Sequence, residues 1–300
     1  MPSGNSPLPA MWRSLSPMAQ GALWMLASAA SFAAMSALGR YASAVEGYHP
    51  FVVFFWRNVG LVILLMPMLY RAGFARLHTR RWPLLLLRGV ISTLSAIALF
   101  WGLAHVPVAD AMALLFSAPI FATIFAIVLI GERPSRPQIA AIVLGFVGAL
   151  VILRPGFQEV TPDAMIVMIS AVLGGAAFSL IKILSATEPA EVILAYLALS
   201  FMPASLVLAL LEWQTPDLFG LGVLALTAVT AGFGHFALPK AFAKADATAI
   251  MPLDFARLPF AALFGYILFR EVSDAWTWAG AVIIFAAGLF VTRGGKKKPA

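Results

Sequence analysis

The chain is built from long apolar runs that recur from end to end, and no other feature restricts its fold as tightly. A helix that crosses a bilayer needs about 20 mainly apolar residues, with a range of about 17–25. Punctuation by Pro, Gly and charge divides the sequence into ten such stretches, near 17–40, 50–70, 82–104, 107–130, 137–153, 162–185, 190–211, 218–239, 246–269 and 275–292. Runs such as LVILLMPMLY and AAIVLGFVGALVIL lack the apolar/polar alternation of a membrane β-barrel strand, so the stretches read as helices. Hydrophobic residues make up 62% of the chain and charged residues 11%. Soluble domains carry about 25% charge, so this surface has too few charges to face water and must face lipid. The expected fold is an all-α membrane protein with ten transmembrane helices. The polar, Pro/Ser-rich residues 1–16 read as a short disordered tail and not as a cleavable signal.

Connections are short. His105–Asp110 joins the third and fourth stretches, and Gly131–Arg136 joins the fourth and fifth. No connection holds an extramembrane domain, so function is expected inside the bundle. Cysteine is absent, and His49, His78, His105 and His235 show no metal-ligand spacing. No Gly-x-Ser-x-Gly or paired carboxylates occur either. An enzyme, a metal site and a cofactor are therefore not expected.

The net charge of +7 does not point to nucleic acid, because its distribution follows the connections. Arg71, Arg76, Arg80 and Arg81, then Arg133 and Arg136, then Lys240 and Lys244, and the tail Arg293 and Lys296–Lys298 all fall on one side of a ten-helix arrangement. The opposite side holds little beyond Arg154 and Arg270. By the positive-inside rule both termini are expected in the cytoplasm, with residues 293–300 a basic cytoplasmic tail that reads as a topology signal.

The sequence also repeats. Residues 100–153 align without a gap on 239–292, with about a quarter of positions identical. Phe116 meets Phe255, Phe121-Ala122 meets Phe260-Ala261, and Glu132 meets Glu271 at the close of a stretch. Two units are expected, 17–153 and 162–292, each of five helices. An odd number inserts the second unit upside down, giving two inverted five-helix repeats with Glu132 and Glu271 on opposite faces. Inverted repeats recur in transporters, because exchanging the conformations of the halves turns an inward-open shape into an outward-open one.

The stretch FWGLAHVPVADAMALLFSAPIFATIFAIVLIGERPSRPQIAAIVLGFVGALVILRPG has a Pro in mid-span (Pro119), a closing Gly-Glu-Arg and a Gly-rich span ending Arg-Pro-Gly. Its second copy, AFAKADATAIMPLDFARLPFAALFGYILFREVSDAWTWAGAVIIFAAGLFV, follows the same plan, with Arg270-Glu271 for Gly131-Glu132 and Pro259 one place off. In these features the chain, from Gly21 to Thr292, resembles the EamA-like family of the drug/metabolite transporter superfamily. The resemblance implies a central cavity and secondary transport, by alternating access, of amino acids or other small metabolites across the bacterial inner membrane. It places Trp24, Trp101, Phe116, Phe178 and Phe255 in helices that line the cavity. PLDFARLPFAALFGY is similar to branches handling S-adenosylmethionine or related metabolites, which makes an importer of such a solute one alternative. A non-transporting membrane subunit or receptor is the other.

Charges inside the bilayer are costly, about 2.5–3.5 kcal/mol each on insertion scales, and face a cavity or a partner. Asp254 and Arg257 fall roughly 12 and 17 Å into the ninth stretch, near the midplane and on one face. They read as a cavity pair that binds charged solute groups, with Asp254 also a candidate proton carrier, or as a closed ion pair that only positions the helix. Arg57, about 10 Å deep, is a further binding candidate or a snorkelling side chain. Arg88, about as deep from the other side, reads first as interfacial and second as a binding arginine, and Lys182 reads as snorkelling. His235, before Pro239, is a helix-end histidine or a proton carrier. The partners implied are a small-molecule substrate, membrane lipid and a coupled proton or counter-solute, with the chain a monomer or homodimer.

Overall fold

A computed structural model describes residues 15–72, 77–105, 114–115, 117–153, 162–270 and 275–294. Every regular element among them is helical. The chain runs through α1 (Pro17–Ala44), α2 (Pro50–Ala72), α3 (Trp82–His105), α4 (Ala118–Phe125) with a π-helical turn (Ala126–Ile130), and α5 (Arg136–Leu153). It continues through α6 (Pro162–Ser185), α7 (Ala190–Leu211), α8 (Leu218–Lys244), α9 (Ala247–Ile250), a 3-10 helix (Met251–Ala256), α10 (Arg257–Phe269) and α11 (Ala275–Gly294). Among the described residues, seven segments are long and apolar enough to cross a membrane, counting 247–269 as one. The apolar helical segments Ala118–Ile130 and Arg136–Val151 are shorter.

The helix ends follow local chemistry. Ser16 accepts a 3.2 Å hydrogen bond from the Ala19 N–H ahead of Pro17, and Asp217 accepts a 2.8 Å bond from Gly220 at the start of α8. The π-helical turn closes on Gly131 at φ +75°, and α10 closes on Arg270 at φ +58°. Arg270 is the residue that the repeat alignment sets against Gly131, so both copies keep a left-handed cap although only one supplies glycine for it.

Helices α1 and α8, α5 and α11, α3 and α6, and α2 and α7 make the most extensive contacts. Small residues let them approach. A Cβ on Gly175 of α6 would stand 2.7 Å from the Ala122 backbone nitrogen, and one on Gly145 of α5 would stand 2.4 Å from the Phe255 ring. Large side chains point outward instead: Val128, Leu210, Leu211 and Val282 are exposed. Polar residues lie inside, with Ser28, Asn58, Arg88, Ser170 and Asp254 all buried. That inversion of the soluble pattern is what lipid requires.

Candidate functional site

Residues 246–269 do not form one continuous helix, and the break builds the site. Pro252 starts a 3-10 segment, and the α-helical pattern resumes at Arg257, leaving Pro259 in the first turn of α10, where a missing N–H costs little. A 3-10 helix has three residues per turn, so positions i and i+3 eclipse. Asp254 and Arg257 are brought together by that geometry, with Oδ1 and Nη2 2.8 Å apart. Asp254 is 4% exposed, while the Arg257 side chain keeps 26%. The contact is close but poorly aligned: charge is paired, yet Oδ1 and the Arg257 Nε lack a directed hydrogen bond.

Other helices supply the surroundings. The Arg257 guanidinium lies over the Phe32 ring of α1 at 4.4 Å, and Phe32 stands edge-on to His235 of α8 at 4.8 Å. One turn along α1, Met35 Sδ accepts from Arg57 Nη1 at 3.3 Å, and the Arg57 guanidinium covers Phe54 at 4.7 Å. Arg88 of α3 is 3% exposed and has one long bond, 3.4 Å to the Ile193 carbonyl. Arg57, Arg88 and Arg257 all lie close enough to His235 for their charges to act on it. The His235 Nδ1 is buried without a partner, as are both polar atoms of Asn58 beside Arg57. Pro239 leaves the His235 carbonyl without its helical donor, and Ser28 donates to the neighbouring Gly234 carbonyl at 3.0 Å. The site is a strongly cationic, aromatic-walled interior with one carboxylate. It offers donors for an anionic group and no nucleophile–base pair for chemistry.

Polar ties close both ends of the bundle. At one end Tyr48 donates to Asp217 at 3.0 Å and the His49 N–H to Gln214 at 2.7 Å. The Gly220 N–H and then the Tyr48 hydroxyl hold the Asp217 carboxyl below its ordinary value. At the other end Thr79 donates to Glu188 at 2.6 Å, and Lys182 donates to the Phe242 carbonyl of α8 at 2.9 Å and to that of its C-cap Ala245 at 2.6 Å. Glu132 accepts from Ala247 at 3.0 Å and Thr248 at 2.9 Å, capping α9 from the far side of the chain.

The sequence profile of the EamA-like transporter family matches residues 19–154. A riboflavin transporter of Vibrio cholerae is 32% identical over 93% of this chain and 95% of its own length. The chain belongs to the EamA-like transporter family. It is an integral membrane transporter and not an enzyme. An S-adenosylmethionine uptake transporter of Rickettsia bellii is 31% identical over 91% of this chain and 94% of that protein. The pseudopaline exporter CntI of Pseudomonas aeruginosa is 30% identical over 91% and 96%. A solved crystal structure superposes with a TM-score of 0.74 at 17% identity over 90% of this chain and 97% of that one, a likeness of fold alone.

Of the residues expected to bind a solute in this EamA-like chain, Asp254, Arg257 and Arg57 meet around Phe32 and Met35 with His235. Trp24 and Phe178 pack on the apolar cluster that contains Phe32, and Trp24 lies 6.4 Å from Phe236. The side chain of Trp101 and the whole of Phe116 lie outside the described residues, as do Glu271 and the start of the fourth stretch. Phe255 is 0% exposed and wedged against Gly145, Ala149 and Ile284, so in this state it packs between helices. Arg88 is buried against α7 and does not snorkel, which removes the interfacial one of its two readings. His235 lies well inside α8 and not at its end. Lys182 and Glu132 act on helix ends that no sequence spacing connects to them. Asn58 carried one usable signal, a carboxamide next to an arginine within an apolar run.

Proposed function

We propose that the protein is a secondary transporter that carries a small organic anion or zwitterion, an amino acid or related metabolite, across the bacterial inner membrane by alternating access. The observation that carries this reading is the interior around His235, where Arg57 and the Asp254–Arg257 pair gather on three different helical segments of a bundle whose ends are tied shut. Arginine forks suit carboxylate and phosphate oxygens. Coupling runs through a proton, with Asp254 or His235 as carrier, or through a counter-solute. Among the named relatives one is an uptake transporter and one an exporter, so their names favour neither direction.

In this reading ten spans form two inverted units, 17–153 and 162–292, with both termini cytoplasmic. Exchanging α1 with α6, α2 with α7, α3 with α8, the α4 span with the α10 span and α5 with α11 supports it. That exchange turns the α1–α8 contact into α6–α3, α2–α8 into α7–α3, and α1–α10 into α6–α4, all of which occur. The α2–α7 and α5–α11 contacts map onto themselves. The end ties follow the same rule: the α1–α2 connection meets the α7–α8 connection through His49 and Gln214, and the α6–α7 connection meets the α2–α3 connection through Glu188 and Thr79. Mid-helix Pro67, Pro203 and Pro239 free carbonyls and permit the bending that exchange requires.

Counterflow tests the function. Purified protein in liposomes preloaded with one unlabelled solute should accumulate the labelled solute, using amino acids, organic acids, riboflavin and S-adenosylmethionine in turn. Folded protein that moves none of them would favour a non-transporting subunit, and unitary currents would favour a pore.

A further inference from the structure

We infer that the interior is a dianion site, in which Arg57, Arg88 and Arg257 receive a doubly charged oxyanion head on the carried solute. The inference rests on the transport reading and narrows its solute class. Three arginines against the one carboxylate of Asp254 leave a surplus of two positive charges. The other described Asp and Glu residues stand at helix ends or in connections, and neither Arg57 nor Arg88 has a described carboxylate within ion-pair distance. His235 is neutral or cationic and cannot supply the missing charge.

Unpaired donors point the same way independently of charge. The Arg88 and Arg257 Nε–H groups are buried without an acceptor, and Asn58, 0% exposed, has both its amide nitrogen and its oxygen unpartnered. A buried cation without a counter-charge is destabilising, and so is a buried donor without an acceptor. An oxyanion relieves both at once, because it brings negative charge and several acceptor oxygens together. A zwitterion leaves the surplus of two untouched, and a monocarboxylate leaves half of it. A phosphate-ester head and a dicarboxylate both match it.

Thermal unfolding of the purified full-length protein at constant ionic strength tests this, with inorganic sulfate, inorganic phosphate and succinate compared against chloride, acetate and gluconate. The divalent anions should raise Tm in a saturable way beyond the monovalent ones. Half-saturation should weaken about ten-fold in R57Q and in R88Q. D254N should bind sulfate more tightly, since it removes the one competing negative charge, and this arm reads out even where an arginine variant fails to fold. Stabilisation by phosphate without succinate assigns a phosphate head, and the reverse assigns a dicarboxylate. Equal effects of divalent and monovalent anions overturn the site, as do shifts that persist in both arginine variants or sulfate binding unchanged in D254N. Counterflow uses none of these anions as a requirement, so the transport reading stands or falls separately.

Discussion

Arg257 stands one 3-10 turn beyond Asp254, with its Nη2 2.8 Å from the Asp254 Oδ1. The pair neutralises itself along the chain, yet Arg257 remains a quarter exposed and reaches across to Phe32. A charge pair that only served stability would be better replaced by apolar packing. R257A should abolish transport and lower stability by stranding a buried carboxylate, an effect of about 3–5 kcal/mol. The double variant D254N/R257Q should recover folding without recovering counterflow. Wild-type flux through a well-folded double variant would remove both residues from the transport mechanism.

Glu132 joins the close of the π-helical turn to the start of α9 through two backbone donors, where Asp246 makes no capping bond of its own. E132A should cost about 0.5–2 kcal/mol, the usual range for a lost cap. Unchanged thermal unfolding would mean that the two N–H groups find other acceptors.

Gly175 lies against atoms that cannot turn aside, since an added Cβ would be 2.6 Å from the Phe121 Cβ and 2.7 Å from the Ala122 nitrogen. G175A should therefore separate α4 from α6 and destabilise by about 1–3 kcal/mol. G222A is the control, because nothing lies within 4 Å of its added Cβ. Equal melting of the two variants would count against close packing at this crossing.

If the two units are inverted as proposed, Glu46, between α1 and α2, and Thr187, between α6 and α7, lie on opposite faces of the membrane. In this Cys-free chain, E46C should react with an impermeant maleimide added outside whole cells, and T187C should react only after permeabilisation. Labelling of both from outside would exclude inversion.

Asp217 titrates below its ordinary value of 3.8 because Gly220 and Tyr48 donate to its ionised form. A carboxyl held low in the folded state contributes stability above the unfolded value and loses it as pH falls through the folded one. The tie between the α1–α2 and α7–α8 connections should therefore be intact at neutral pH and fail only below about pH 4. In D217N the acid-side loss of Tm should shrink. An equal loss in wild type and D217N would assign it to other carboxyls.

Sequence alone determined the lipid-facing helical character, because runs of about 20 apolar residues with so little charge have no other stable environment. It also singled out Asp254, Arg257 and Arg57, since ionisable residues in such runs are too costly to be incidental. Tertiary structure decided what local pattern could not carry. Periodicity assumed one helix over 246–269, whereas packing around Pro252 tightens part of it to 3-10 and eclipses the ion pair. Phe255 and Arg88 could not be placed from sequence, because an aromatic or an arginine in an apolar run is compatible with lipid, cavity or helix–helix contact. Only their neighbours on α5 and α7 choose among these. The tie from Glu132 to Ala247 spans 115 residues of chain, and no spacing rule reaches so far. Which charges face one another across a bundle is fixed by how helices distant in sequence pack, and that is where the cationic interior around His235 was set.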